Sequence, residues 1–338
     1  MRPSFAFGFA ALALAAALVS APGKACAQAD QGIVVYNAQH ASLTEEWVKG
    51  FTKETGIKVT IRKGSDMDTA NQIVQEGANS PADVFLTENS PGMALVDSAG
   101  LFAPIDKATL DLVPEEYRPA TGNWVGIAAR TTVFAYDKRK LKPEQLPKSM
   151  LDLADASWKG RWAASPSGAD FQAIVAALLL LKGEKATADW LKAMKTNARA
   201  YRGNGVALKA VNSGEIEGAV IYHYYYFGDQ AKTGENSNNI GMHYFRNQDP
   251  GAFVSVSGAG VLKSSKKQKE AQAFVKWLAG KGGQAVLRTG DSYEYAVGKG
   301  EESNPKLEPL AKLQAPKISP DKLDNKKVTD MMTAAGLL

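Results

Sequence analysis

The sequence predicts an α/β protein built as two lobes, and three observations carry that expectation. Short strand-like runs alternate with helical patterns from one end of the chain to the other, the pattern of strands layered against helices. The chain has 338 residues, enough for two cores of ordinary domain size. Two β-rich stretches, Trp124 to Tyr136 and Ala252 to Leu262, are placed to carry the chain from one lobe to the other and back.

The elements follow in order. Ile33 to Gln39 (IVVYNAQ) is an apolar run that stops at His40, and Ser42 with Glu45 then forms a capping box that opens a helix through Phe51. Ala82 to Thr87 (ADVFLT) is a second run that stops at Glu88, with Ser90-Pro91 as N-cap and first-turn proline of the next helix. After the stretch from Trp124, Arg161 to Ser165 leads through Pro166-Ser167-Gly168 into an apolar helix, Ala169 to Lys182. A polar helix with Trp190, Leu191 and Met194 on one face follows, then Tyr201 to Gly205 and a short helix from Val206. The strand Gly218 to Tyr222 gives way to a polar helical stretch. Asp249-Pro250-Gly251 is a turn before Ala252 to Leu262. The helix near Lys266 to Ala279 buries Phe274, Trp277 and Leu278, and a last helix spans Lys326 to Gly336.

The first residues predict export. Arg2 is a positive start, Phe5 to Ala21 an apolar stretch short for a membrane span, and Ala25-Cys26-Ala27 a small-residue cleavage site. A signal peptide over residues 1–27 leaves an exported mature chain of roughly 310 residues. The single cysteine, Cys26, lies in the cleavage region, so no intramolecular disulfide is available. Removing Arg2 and Lys24 leaves 38 basic against 35 acidic side chains, a formal +3. That balance, with lysines scattered rather than interleaved with aromatics, argues against nucleic acid as a partner. Ile174 to Leu181 is too short to cross a membrane.

His40, Glu88 and the adjacent Tyr224 and Tyr225 each end or follow a strand. Ligands of open α/β sheets bind beyond the carboxyl ends of strands, so these four residues are expected to meet in one cleft. Each also has a plainer reading. A histidine after a strand is commonly a capping residue, and a glutamate beside a helix start is favoured by the dipole whether or not it binds anything. Tyr222, Tyr224 and Tyr226 share strand period and would form a core stripe. The conjunction outweighs the separate readings. An anion site is suggested by Ser167, Gly168 and Ala169 at a helix start, where free N–H groups and the dipole favour negative charge. Asn204, between Gly203 and Gly205, adds an amide donor, and Arg130 a guanidinium.

With these residues in place the chain resembles the periplasmic ferric-iron-binding proteins of ABC importers. The resemblance is carried by YNAQH (Tyr36 to His40), SPADVFLTEN (Ser80 to Asn89), SGA (Ser167 to Ala169), NGVALKAV (Asn204 to Val211), GEIEGAVIYHYYY (Gly214 to Tyr226) and DPGAFVSVSGAGVLKSS (Asp249 to Ser265). It implies a type II periplasmic binding protein with a hinge and an inter-lobe cleft, and a monomer that delivers Fe(III) to an inner-membrane permease. The implied lobes are 28–130 plus about 255–305, and 131–254 plus about 306–338. The implied iron ligands are His40, Glu88, Tyr224 and Tyr225, and the implied anion turn is Ser167, Gly168 and Ala169 with Asn204 close by. The chain departs from the family at two positions. Tyr222 stands where phosphate-using members have asparagine, and Asn89 where they have glutamine. The synergistic anion is therefore left open between phosphate, carbonate held by Arg130, citrate and water alone. Asp170, in the first helical turn, would repel a dianion.

The donor set suits the metal. Fe(III) is hard and favours anionic oxygen, so phenolate and carboxylate outrank imidazole. Two phenolates and one carboxylate match its three charges, and four ligands leave two octahedral positions for an anion or water. A carrier of oxyanions or small organic anions without iron is the alternative within binding proteins. An enzyme is disfavoured, since neither a Gly-x-Ser-x-Gly elbow nor a His-Glu-x-x-His helix occurs.

Overall fold

One strand runs through both parts of the sheet and organises everything else. The computed structural model describes Met1 and residues 32–338, so the expected signal peptide lies outside the described residues. Among these, nine strands are present: β1 (Ile33–Asn37), β2 (Val59–Lys63), β3 (Val84–Leu86), β4 (Val125–Asp137), β5 (Trp162–Ala164), β6 (Ala198–Ala200), β7 (Gly218–Tyr222), β8 (Ile240–His243) and β9 (Val254–Val261). Their order is β2-β1-β3-β9-β4-β7-β5-β6, with β8 also on β4. The first part of β4 pairs antiparallel with β9 up to Thr131 opposite Val254. From Thr132 onward it pairs with β7, and from Phe134 with β8. The two β-rich stretches read from the sequence are therefore β4 and β9, and of the two only β4 pairs in both parts of the sheet.

The parallel strands sit on the outer parts, β1 with β2 and β3, and β5 with β6 and β7, and helices connect them, as parallel pairing requires. Each part has an aromatic anchor. Phe51, on the helix Ala41–Thr55, packs edge-on against Phe274 at 4.9 Å. Trp190 lies 5.8 Å from Trp162 and 6.2 Å from Phe171, contacts that add to area burial. No helix of the described residues is long and apolar enough to cross a membrane.

Several boundaries differ from the sequence expectation. The first helix starts at Ala41 with His40 as N-cap and no side-chain cap bond, and Glu45 pairs with Lys63 at 3.1 Å instead of closing a capping box. Asn89, not Ser90, is the N-cap of Ser90–Ser98. The apolar and polar helices expected after Gly168 run together as Ala169–Asn197, interrupted only at Gly183, whose φ of 79° is left-handed and accessible to glycine at little cost. The short helix begins at Asn204, two residues early. Tyr224 opens a helix, Tyr224–Lys232, so the tyrosines do not continue β7 as a strand-period stripe.

Candidate metal centre

The strand ends deliver their residues to one place. His40 follows β1, and Glu88 follows β3 on the neighbouring, parallel strand. The turn at Glu88 is held by Asp66, whose carboxylate accepts the Glu88 N–H at 2.8 Å and the Asn89 N–H at 2.9 Å. On the other side, β7 ends at Tyr222, and one further residue puts Tyr224 and Tyr225 on the first turn of their helix, rings 4.3 Å apart.

His40 Nε2 lies 3.1 Å from Glu88 Oε1. Tyr224 Oη lies 2.7 Å from that same oxygen, and its ring meets His40 edge-on at 4.9 Å. Tyr224 and Tyr225 both place Oη 3.1 Å from Asp170 Oδ2. The four residues read from the sequence as iron ligands thus converge, and Asp170 converges with them. Among the described residues no group of three or more histidine, cysteine, aspartate and glutamate side chains is arranged to hold a metal, so the convergence here depends on the two phenols.

Asp170 stands beside the expected anion turn. It stands in the first turn of Ala169–Asn197 behind the N-cap Gly168, and it is nearly fully buried. Asn204 Nδ2 donates to its Oδ2 at 2.8 Å and Asn89 Nδ2 to its Oδ1 at 3.1 Å. Asn204 is therefore where the sequence places a polar donor, but its partner is a side chain. Ser167 is exposed. Gly168 has extended backbone, and an added Cβ would press on Ser165 at 3.3 Å. The two departures from the family touch each other here, with Tyr222 Oη 3.3 Å from Asn89 Oδ1.

Arg130 differs most from its expected role. Fully buried at the centre of β4, it donates through Nη1 to the Glu88 carbonyl and through Nη2 to Glu294 and to Ser257 Oγ. A guanidinium without access to water must be paired on the spot, and these partners take both of its terminal nitrogens. Sequence reasoning misses Glu294 and Ser257. A lone Glu in a turn and a Ser in a strand carry no pattern that marks them.

Protonation follows from this geometry. Burial alone would depress His40, but hydrogen bonds to Glu294 and Glu88 outweigh it and push its pKa up to about 10. Burial would raise Glu88, yet the hydrogen bond and charge of His40, with Arg130 and Tyr224, bring it down to about 2. Asp170 moves the other way, raised by burial and by the charge of Glu88. Tyr224 and Tyr225 are raised by burial, then by Asp170 and Glu88. Tyr224 has one proton for two carboxylates, so a second proton is needed between Tyr224 and Asp170, and the raised Asp170 is the group suited to carry it. A cavity of about 710 Å³ opens beside His40, Tyr224 and Tyr225, a route to the centre from solvent.

Comparison with known proteins agrees with this arrangement. The family model described as bacterial extracellular solute-binding protein matches residues 79–320. The Fe(3+)-binding periplasmic protein of Serratia marcescens is 65% identical over 96% of this chain and 96% of its own. The chain belongs to the bacterial extracellular solute-binding protein family. Within it, the major ferric iron-binding protein of Neisseria meningitidis serogroup B is 38% identical over 95% of this chain and 98% of its own. The structure of iron-bound HitA from Pseudomonas aeruginosa aligns with a TM-score of 0.85 at 43% identity, covering 90% of this chain and 99% of that one. Like those neighbours, this family member is a two-lobed α/β protein with a cleft between the lobes.

Proposed function

We propose that this chain is the periplasmic component of an ABC importer, capturing ferric iron in the cleft and delivering it to an inner-membrane permease. The observation that carries the reading is the convergence of Tyr224, Tyr225 and Glu88 oxygens with His40 Nε2, from both lobes, on one partly enclosed point. Phenolates and carboxylates are the donors a hard trivalent ion selects. The iron-binding proteins named above share most of this chain's length, which supports transport rather than catalysis.

In this proposal Asp170 takes the part that the resemblance gives to an exogenous phosphate or carbonate. The support is its position 3.1 Å from both phenol oxygens and its burial at the start of a helix, where the dipole favours negative charge. It adds a fifth protein donor and leaves one octahedral position for water or a small anion. Arg130 then serves the ligand-bearing turn of Glu88 instead of an anion, and Ser167, Gly168 and Ala169 shape the helix start that presents Asp170. The oxyanion-carrier reading is disfavoured, because a buried carboxylate stands in the first turn of the helix whose start it needs.

We assign 28–130 plus about 255–305 to one moving lobe and 131–254 plus about 306–338 to the other, with β4 and β9 as the hinge near Thr131 and Val254. Iron bound by both lobes stabilises closure by its differential affinity for the closed state, and the permease reads closure as loading. The mature protein, a monomer without nucleic-acid partners, is tested by titration with ferric nitrilotriacetate. One equivalent should produce a visible phenolate-to-iron charge-transfer band. A protein that stays colourless, or takes up iron without that band, would refute the reading.

A further inference from the structure

Glu294 is a fully buried carboxylate outside the ligand set, and its two oxygens do different things. Oε1 lies 3.1 Å from His40 Nδ1. Oε2 accepts from Arg130 Nη2 and, at 3.3 Å, from Gln39 Nε2. A carboxylate needed only to neutralise Arg130 would offer the guanidinium both oxygens in a bidentate pair, but here one oxygen is kept for the imidazole. The backbone holds it there at some expense. Tyr293, the preceding residue, has a left-handed φ of 53°, uncommon for a bulky side chain. The following residue, Tyr295, is clamped to Ala129 of β4 by two backbone hydrogen bonds, 3.0 and 2.8 Å.

We propose that Glu294 is a positioning residue for iron capture: it accepts the Nδ1–H of His40 and so keeps Nε2 turned toward Glu88 and the cleft. A ring with Nδ1 tied in this way can release only its Nε2 proton to a metal, which fixes both the tautomer and the ring plane. Arg130 extends the brace. By donating to Glu294 Oε2 from a nitrogen fixed beside the Glu88 turn, it keeps the other Glu294 oxygen facing His40. The inference rests on His40 being a ligand.

The test is a double-mutant cycle on ferric affinity, measured at constant pH by competition with citrate, for wild type, Glu294→Gln, His40→Ala and the double variant. Glu294→Gln should weaken binding about 10- to 100-fold in the wild-type background. In the His40→Ala background it should change affinity by less than about twofold, as expected if its whole effect passes through His40. Equal losses in both backgrounds would overturn the proposal, leaving Glu294 a structural partner of Arg130. If His40→Ala itself binds iron normally, the assignment of His40 as a ligand fails, and this inference with it. Should Glu294→Gln not fold, ¹⁵N-histidine spectra of wild-type protein loaded with gallium decide the matter. A protonated Nδ1 and a metal-bound Nε2 on His40 support the proposal, and the reverse tautomer overturns it.

Discussion

The two faces of the cleft hold their donors in opposite electrostatic states. On the first, hydrogen bonds from Glu294 and Glu88 push His40 up to about 10 against its burial, and His40 with Arg130 brings Glu88 down to about 2. On the second, Asp170, Tyr224 and Tyr225 crowd acidic groups without a cation of their own, and all three are pushed toward their neutral forms, chiefly by burial. The first face is built and charged before iron arrives. The second becomes a strong ligand set only when a cation replaces its protons. The comparison teaches that a trivalent ion supplies what the second face lacks, and that protons are its competitors there.

The largest effect should come from the second face. Replacing Tyr224 or Tyr225 by Phe removes a phenolate while keeping the ring, and ferric affinity should fall on the order of 1000-fold, the scale of about 3–5 kcal/mol for leaving a buried charge without its partner. Chelator competition and the charge-transfer band measure this, with circular dichroism confirming the fold. Wild-type colour and stoichiometry in both variants would break the comparison outright.

The pH dependence sharpens it. Tyr224 and Tyr225 have raised pKa values, so at neutral pH both are protonated and iron must displace the protons. Lowering pH favours the protonated, metal-free form, and affinity must fall with pH, not rise. Two phenol protons give about 100-fold weaker binding per pH unit, and the Nε2 proton of His40, below its own pKa of about 10, and the proton of the raised Asp170 each add up to about another tenfold. A slope of one proton or fewer, from affinities measured between about pH 6 and 8, would mean the phenols are not ligands.

Asp170→Asn should have a smaller and conditional effect. Its amide keeps the shape but loses the anionic donor, so loading should weaken by about 10- to 100-fold, in the range of losses seen when a metal site is perturbed short of losing its main donors. Bicarbonate or phosphate should restore part of it. The unaltered protein should load equally well in carbonate-free buffer with or without either anion. A wild-type requirement for added anion would return the synergistic role to an exogenous ligand.

On the first face, His40→Ala and Glu88→Ala should leave iron loosely held by the tyrosine lobe yet fail to close the cleft. Small-angle scattering should find these variants loaded but extended. Full compaction on loading would contradict the division of labour between the faces.

How much of this is legible in the sequence follows the same division. The residues that sit one or two positions past a strand, His40, Glu88, Tyr224 and Tyr225, are readable because strand ends are where α/β sheets present side chains. The strands β4 and β9 are readable as long β-rich runs. Asp170 reads in the sequence as an obstacle to an anion and not as a partner of the two tyrosines, because its position fixes only a place in a helical turn. Its role depends on contacts with Asn89, Tyr224 and Tyr225, 81, 54 and 55 residues away. The partners of Arg130 are hidden for a related reason. A cation on a central strand must have a partner, but nothing local shows that the partner is Glu294, 164 residues later, presented by a left-handed Tyr293.

Anomalous diffraction at the iron edge, from crystals of the loaded mature protein, tests the central claim most directly. The account predicts one strong peak within bonding distance of Tyr224 Oη, Tyr225 Oη, Glu88 Oε1, His40 Nε2 and Asp170 Oδ2, with Arg130 and Glu294 paired behind it. A peak elsewhere, or one touching the first face alone while the tyrosines keep their hydrogen bonds to Asp170, would contradict it.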